Sequence, residues 1–90
     1  MVIDLLVTIN PSVTLSFHEG EAVLYNKLNG MFFGLDQVGT EIWNMLAEER
    51  TIDEIVETMH QEYGVDRDRL LQDIHALLDQ LVASKLVSKS

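Results

Sequence analysis

Cysteine is absent from this sequence, and its absence limits both the chemistry and the setting of the chain. Without cysteine there is no disulfide framework, no thiolate nucleophile and no cysteine-ligated zinc. A small domain that lacks disulfides is typical of a reducing compartment, so we expect it to act in the cytoplasm.

The chain length of 90 residues suits one hydrophobic core. We therefore predict a single domain over residues 1–90.

Basic residues are scarce as well, with six Lys and Arg against 15 Asp and Glu and a formal net charge of −9. Proteins that bind nucleic acid normally neutralise phosphates with a basic face, which this chain lacks. No apolar run approaches the roughly 20 residues that span a bilayer. The segment Met1–Ile9 is apolar but lacks the positive charge of a signal peptide. We expect no nucleic-acid partner and no membrane partner.

Recognisable catalytic motifs are also missing. The five glycines form neither a dinucleotide-binding fingerprint nor a P-loop, and no Gly-x-Ser-x-Gly elbow occurs. His18, His60 and His75 fall in three different predicted elements. The stretch that begins at Asp66 opens like a calcium loop but lacks the required glycine. The sequence therefore predicts no enzyme, no metal site and no cofactor.

Alternation of apolar and polar residues predicts three strands in the first half of the chain. They cover residues 13–18, Ala22–Asn26 and Met31–Leu35. Asn29-Gly30 is a hairpin signal between the last two, because both residues tolerate positive φ. Asn10-Pro11 predicts a bend after an additional N-terminal strand.

From residue 36 onward the hydrophobic period becomes that of a helix. Asp36 can cap the first helix, and Thr51 with Glu54 forms a capping box for the second. Gly64 ends the second helix, and Asp66 opens the third. Strands followed by helices predict an α+β domain: a three-stranded antiparallel sheet followed by three helices. This resembles a winged helix-turn-helix, except that the strands come first.

The third predicted strand carries large apolar side chains on both faces. Met31, Phe33 and Leu35 share one face, with Phe32 and Gly34 on the other, and the pattern does not tell which face is buried. One interpretation is a small core with some surplus apolar surface. The other is an edge strand that pairs with an extended peptide, or with a second copy in a homodimer. Gly34 would then permit close backbone approach, or it marks a bulge.

Several stretches, in this order and spacing, resemble the PqqD-like family: residues 22–25, 29–30, 32–43, 51–56, 63–66 and 73–81. The similarity extends over residues 11–87. It implies a recognition element for ribosomally synthesised, post-translationally modified peptides. Such domains bind the leader segment of a precursor peptide as an added strand between the third strand and the third helix. The implied partners are the precursor leader and a leader peptidase or other modifying enzyme.

The turn before the third strand distinguishes the branches of that family. PqqD proper tends to carry a Pro-Glu-Gly-type turn there, whereas this chain has Lys27-Leu28-Asn29-Gly30. Together with the hydrophobic N-terminal strand, this is more similar to the standalone lasso-peptide proteins. The alternatives are a chaperone for a radical SAM enzyme, as in pyrroloquinoline quinone biosynthesis, and a winged-helix adaptor for a folded partner.

Two groups of residues are the candidate peptide-binding set. The strand should provide a backbone ladder and an apolar wall, and the third helix should provide an apolar floor with flanking charges. Leu35 and Trp43 are expected in the core. The candidates are Met31, Phe32, Phe33 and Gly34 on the strand, and Arg67, Leu70, Leu71, Asp73, Ile74 and Leu77 on the helix.

Overall fold

The computed structural model describes residues 7–19 and 21–89, and its elements follow the predicted order. The α+β class is confirmed: a three-stranded antiparallel sheet precedes three helices. Most of the expected N-terminal strand, residues 1–6, lies outside the described part. The elements are β1 (Val7–Ile9), β2 (Val13–His18), β3 (Glu21–Asn26), β4 (Phe32–Leu35), α1 (Gln37–Ala47), α2 (Ile52–Tyr63), α3 (Arg67–Ala83) and β5 (Val87–Lys89).

The main sheet has the order β2-β3-β4, with β3 in the centre. Leu15, Leu24 and Phe33 are neighbours across the three strands and share the face that packs on the helices. Tyr25 and Phe32 are neighbours on the opposite face, with ring centroids 4.6 Å apart. The register thus shows which face of β4 is buried.

The hairpin between β3 and β4 closes with a four-residue turn, 27–30. The Gly30 N–H donates to the Asn26 carbonyl (2.8 Å), and the Asn26 N–H donates to the Met31 carbonyl (3.0 Å). In the turn only Gly30 has positive φ, at 72°. Asn29 instead accepts the Met31 N–H on its side-chain oxygen at 2.9 Å. The predicted hairpin is confirmed, but Asn29 acts through its side chain and not through a positive φ.

Helix boundaries lie where their capping residues predict. Asp36 accepts the Gly39 N–H at 2.7 Å, and Thr51 and Glu54 form the reciprocal capping box. Gly64 ends α2 in the left-handed region, with φ 68°. Asp66 occupies the N-cap position of α3 but makes no capping hydrogen bond with its side chain.

The core lies between the inner face of the sheet and the three helices. Leu35 and Trp43 are buried in it, as expected. The most completely buried apolar side chains are Leu24, Ile55, Met59, Ile74, Leu78, Leu81 and Leu86. None of the described helices is long and apolar enough to cross a membrane.

A second, two-stranded sheet joins the two ends of the described chain. β1 pairs antiparallel with β5, and Val7 and Val87 are buried there. β5 has no counterpart among the elements predicted from the sequence. Asn26 connects the turn before β5 to the turn after β3. Its side-chain amide donates to the Lys85 carbonyl at 3.0 Å, and its side-chain oxygen accepts the Leu28 N–H at 2.9 Å.

Candidate functional site

β4 has a free edge. It pairs with β3 on one side, and no strand in the described part of the chain pairs with its other side. Asn26 and Met31 are hydrogen-bonded partners, and such pairs alternate along an antiparallel ladder. Phe33 therefore also directs its backbone groups to β3, whereas Phe32 and Gly34 direct theirs outward. Two N–H and two C=O groups are thus available to an added strand.

Gly34 lies in regular strand geometry. Its pairing with Val23 continues the register without interruption, so it does not mark a bulge. A Cβ built at Gly34 would meet no atom within 4 Å. The face of the sheet that Gly34 shares with Phe32 is therefore uncovered at this position.

A groove of about 560 Å³ runs beside this edge, between β4, α1 and α3. Its floor is apolar: Leu35 and Ile42 are buried, and Phe33 and Leu77 are half-buried. Polar side chains lie along its margins. The lining residues are Phe33, Gly34, Leu35, Asp36, Val38, Gly39, Ile42, Asp73, Leu77 and Gln80.

Helix geometry explains which residues of α3 reach the groove. Asp73, Leu77 and Gln80 are separated by four and three residues, so they form one line along the helix. Ile74 and Leu78 lie on the neighbouring line and enter the core. A broad apolar stripe on α3 thus serves both the core and the groove.

Four of the ten candidate residues line the groove: Phe33, Gly34, Asp73 and Leu77. Two others on β4 or beside it lie outside it. Phe32 is 68% exposed on the opposite face of the sheet, and Met31 lies between the hairpin turn and β4 with about half of its surface exposed.

The remaining candidates belong to α3 and do not line the groove. Leu70 and Ile74 are buried in the core, so their side chains support the groove from behind. Leu71 is exposed. Arg67 makes a bidentate contact with Glu57 of α2, at 2.9 and 2.8 Å. That guanidinium lowers the pKa of Glu57, and the carboxylate raises the pKa of Arg67.

Sequence reasoning missed the contribution of α1 and of the far end of α3. Val38 and Ile42 line the groove from α1. A spacing of four is equally typical of the core-facing side of a helix, so the sequence does not distinguish the two roles. Gln80 had no signal of its own. The i, i+4, i+7 relation to Asp73 and Leu77 would have found it, once those two were assigned to one site.

Chemically, the site offers backbone hydrogen bonds and apolar contact. Among residues 7–19 and 21–89, no group of three or more His, Asp and Glu side chains could hold a metal ion. Buried side-chain nitrogen and oxygen atoms in the same residues all have partners. The arrangement suits an extended ligand that contributes a strand and alternating side chains.

An open edge strand beside a helix-lined groove defines the class: a small α+β domain, similar to a winged helix, with a site for an extended segment. The family model for "Coenzyme PQQ synthesis protein D (PqqD)" matches residues 21–87. The chain therefore belongs to the PqqD family.

Solved structures share the fold over nearly the whole chain. The structure of TbiB1 in complex with the TbiA(beta) leader peptide is 34% identical, with a TM-score of 0.83, covering 90% of this chain and 94% of that one. Lasso peptide synthetase B1 complexed with the leader peptide is 20% identical, also with a TM-score of 0.83, covering 91% and 96%. No curated protein matches the chain significantly.

Proposed function

We propose that this protein is a non-catalytic recognition element, acting as one domain, that binds the leader segment of a ribosomally made precursor peptide. The observation that carries this is the free edge of β4 beside the apolar groove, with Phe32 and Gly34 offering unpaired backbone groups. The 34% identical relative TbiB1 was solved with a leader peptide, which supports the same class of ligand here.

An added strand would place its side chains alternately on the two faces of the sheet. Those on the helix side would enter the groove between Val38 and Leu77. Those on the other side would lie next to Phe32, which already contacts Tyr25. With only four residues, β4 supports a ladder about 13 Å long. Affinity must therefore come largely from the apolar side chains that enter the groove.

Specificity would arise where these side chains meet the groove, because backbone pairing makes little demand on sequence. A disordered leader loses conformational entropy when it docks, and buried anchors must offset that loss. Asp73 and Gln80 border the apolar floor on α3, where they can contact polar leader residues.

The pathway we propose is lasso peptide biosynthesis, because the turn 27–30 departs from that of PqqD proper. The chemistry would belong to a separate leader peptidase or other modifying enzyme. Binding here would raise the local concentration of the precursor near that enzyme. We place this activity in the cytoplasm, in keeping with the absence of cysteine.

The test is an NMR titration of labelled protein with the leader of a precursor encoded beside its gene. We expect micromolar or tighter binding, with amide shifts concentrated in β4 and along the groove side of α3. Gly34→Pro removes one outward N–H and puts a ring carbon in its place, and we expect at least about ten-fold weaker binding. Gly34→Ala keeps the N–H and meets no atom, so it is the matched control.

A second pair of variants tests the side chains of α3. Leu77→Asn removes apolar surface from the groove, whereas Leu71→Asn changes an exposed leucine outside it. We expect a loss of about ten-fold for the first and less than about two-fold for the second. No shifts with a cognate leader in excess would overturn the proposal and favour an adaptor for a folded partner. Shifts in β4 that depend on protein concentration alone would indicate a homodimer through this edge.

A further inference from the structure

A second cavity lies between the β2–β3 hairpin and α1, next to the groove beside β4, which is here called the leader groove. Its volume is about 700 Å³. The α1 residues that line it are Gln37, Thr40 and Glu41, whereas the leader groove uses Val38, Gly39 and Ile42. These two sets point in different directions, because a helix turns about 100° per residue. The two cavities meet at residues 34–36, which line both. We call this second cavity the hairpin cleft.

The hairpin cleft has an apolar lining from the sheet, part of which is exposed. Phe17, Ala22 and Leu35 are neighbours across the three strands and share the helix-facing side of the sheet. Ala22 and Leu35 are buried, but Phe17 remains 64% exposed. An aromatic side chain on the inner face of a sheet normally packs in the core. Here no described element covers it, which leaves an apolar wall for a ligand.

The rim of the cleft is acidic. Glu21, Asp36 and Glu41 line it, and none of the lining residues is Lys or Arg. In the described part of the chain, none of these three carboxylates is in an ion pair. Asp36 accepts the Gly39 N–H and so already occupies the positive end of α1. The helix end therefore does not oppose a cation placed near Glu21 and Glu41.

One rim carboxylate is held in place by a neighbouring helix. The Tyr63 hydroxyl donates to the Glu41 carboxylate at 2.7 Å. This hydrogen bond, in which the neutral phenol is the donor, raises the pKa of Tyr63 to about 12. The cleft thus combines an exposed aromatic wall with a negative rim, which is complementary to a segment that pairs a cation with an apolar group.

We propose that the hairpin cleft is a second docking site, which receives a segment of a partner protein carrying Lys or Arg next to an aromatic or aliphatic side chain. That the partner is the enzyme acting on the bound leader rests on the proposed function, whereas the chemistry of the cleft does not. Because both cavities meet at residues 34–36, a partner in the cleft would lie directly beside a peptide on β4.

The test uses two acetylated, amidated tripeptides, Lys-Phe-Arg and Glu-Phe-Glu, titrated to millimolar concentration into labelled protein. We expect the basic peptide to shift the amides of Phe17, Glu21, Thr40 and Glu41, and the acidic one to leave them unchanged. Added salt should weaken the effect, because the rim is exposed. No shift with the basic peptide, or equal shifts with both, would overturn the proposal.

Variants separate this site from the leader site. Phe17→Ser should weaken binding of the basic peptide by about ten-fold, because it removes the apolar wall. Leu28→Ser is the matched control, since Leu28 is an exposed apolar residue in the turn between β3 and β4, outside both cavities. Phe17→Ser should leave leader binding unchanged. An equal loss in both variants would contradict a specific role for the cleft.

Two further outcomes identify other occupants. If the leader itself shifts the cleft amides, the leader extends into the cleft and the partner proposal fails. If dilution of the protein alone shifts them, a second copy of the chain occupies the cleft. If the basic peptide binds but no leader does, the function proposed for β4 fails while the cleft assignment stands.

Discussion

At the scale of the residue, Asn26 is a buried polar side chain that connects two distant segments of the chain. It is the buried polar residue of the described chain, with 1% of its surface exposed. Its side chain joins the turn after β3 to the turn before β5, through Leu28 and the Lys85 carbonyl. A buried amide with satisfied donor and acceptor specifies one arrangement, because any shift would leave a polar atom unpaired.

Replacing Asn26 by alanine should therefore destabilise the fold by about 2 kcal/mol, since the Leu28 N–H loses its acceptor and the Lys85 carbonyl keeps only the Asn10 amide as a side-chain donor. Chemical denaturation measures this change. Asn29→Ala is the control: its oxygen also accepts a backbone N–H, from Met31, but in solvent, so we expect about 0.5 kcal/mol. Equal losses for the two variants would show that burial of Asn26 is not what matters.

Arg67 connects α3 to α2 through Glu57, and the contact has a signature in pH. The pKa of Glu57 lies below its ordinary value of 4.5, chiefly because of the hydrogen bond from Arg67. A carboxylate whose pKa is depressed in the folded state contributes stability above its unfolded pKa. That contribution is lost as pH falls through the folded pKa.

In Arg67→Gln we expect the pKa of Glu57 to rise toward 4.5, as measured by NMR titration of the carboxyl carbon. The stability difference from the unmodified protein should be present at neutral pH and vanish in acid below the pKa. Arg69→Gln, on an exposed neighbour without a described ion pair, should leave Glu57 unchanged. A Glu57 pKa that does not respond to Arg67 would contradict the contact.

At the scale of the element, the helices differ in how their first turns are satisfied. α2 begins with a complete capping box between Thr51 and Glu54, which also lowers the pKa of Glu54. Asp66 is the N-cap residue of α3, but its side chain makes no capping hydrogen bond. Aspartate is at least as favourable at an N-cap as threonine. The backbone at Asp66, not the residue type, decides whether the cap forms.

Thr51→Ala should therefore cost about 1 kcal/mol of unfolding free energy, because an amide at the start of α2 loses its partner. Asp66→Ala should cost roughly 0.5 kcal/mol or less, since only its interaction with the helix dipole is removed. Thermal unfolding of the two variants compares them directly. A larger loss at Asp66 would mean that its side chain caps α3 in solution.

At the scale of the whole molecule, a net charge of −9 on 90 residues is a source of self-repulsion. Described ion pairs are few, joining Arg50 to Glu48 and Arg67 to Glu57. The fold is held by its apolar core against this repulsion. The same charge favours association with a basic partner.

Salt should consequently stabilise the protein. Between roughly 0.01 and 0.15 M NaCl the Debye length falls from about 30 to about 8 Å, so repulsion between distant carboxylates is screened. We expect the melting temperature to rise by a few degrees over this range. Glu49→Lys with Glu62→Lys changes the net charge from −9 to −5, and the rise should then be smaller. A melting temperature that falls with salt would contradict net repulsion.

Much of the fold follows from local patterns. Alternation over residues 13–18, the Asn29-Gly30 turn and the caps at Asp36 and Thr51 each act within a few residues, so a sequence window contains all the atoms concerned. Charge and composition likewise need no structure. Pattern and composition alone gave the order of the three main strands and the three helices, the acidic character, and an apolar strand at Met31 to Gly34.

Which of those residues meet depends on how the elements pack together. Leu70 and Leu77 look alike in sequence, yet one enters the core and the other the groove, because the position of β4 relative to α3 divides their helix face. β1 pairs with β5, which lies at the other end of the described chain. Phe17 stays exposed because no described segment packs over it. A periodic pattern reports the amphipathicity of one element, whereas a site requires the packing of several.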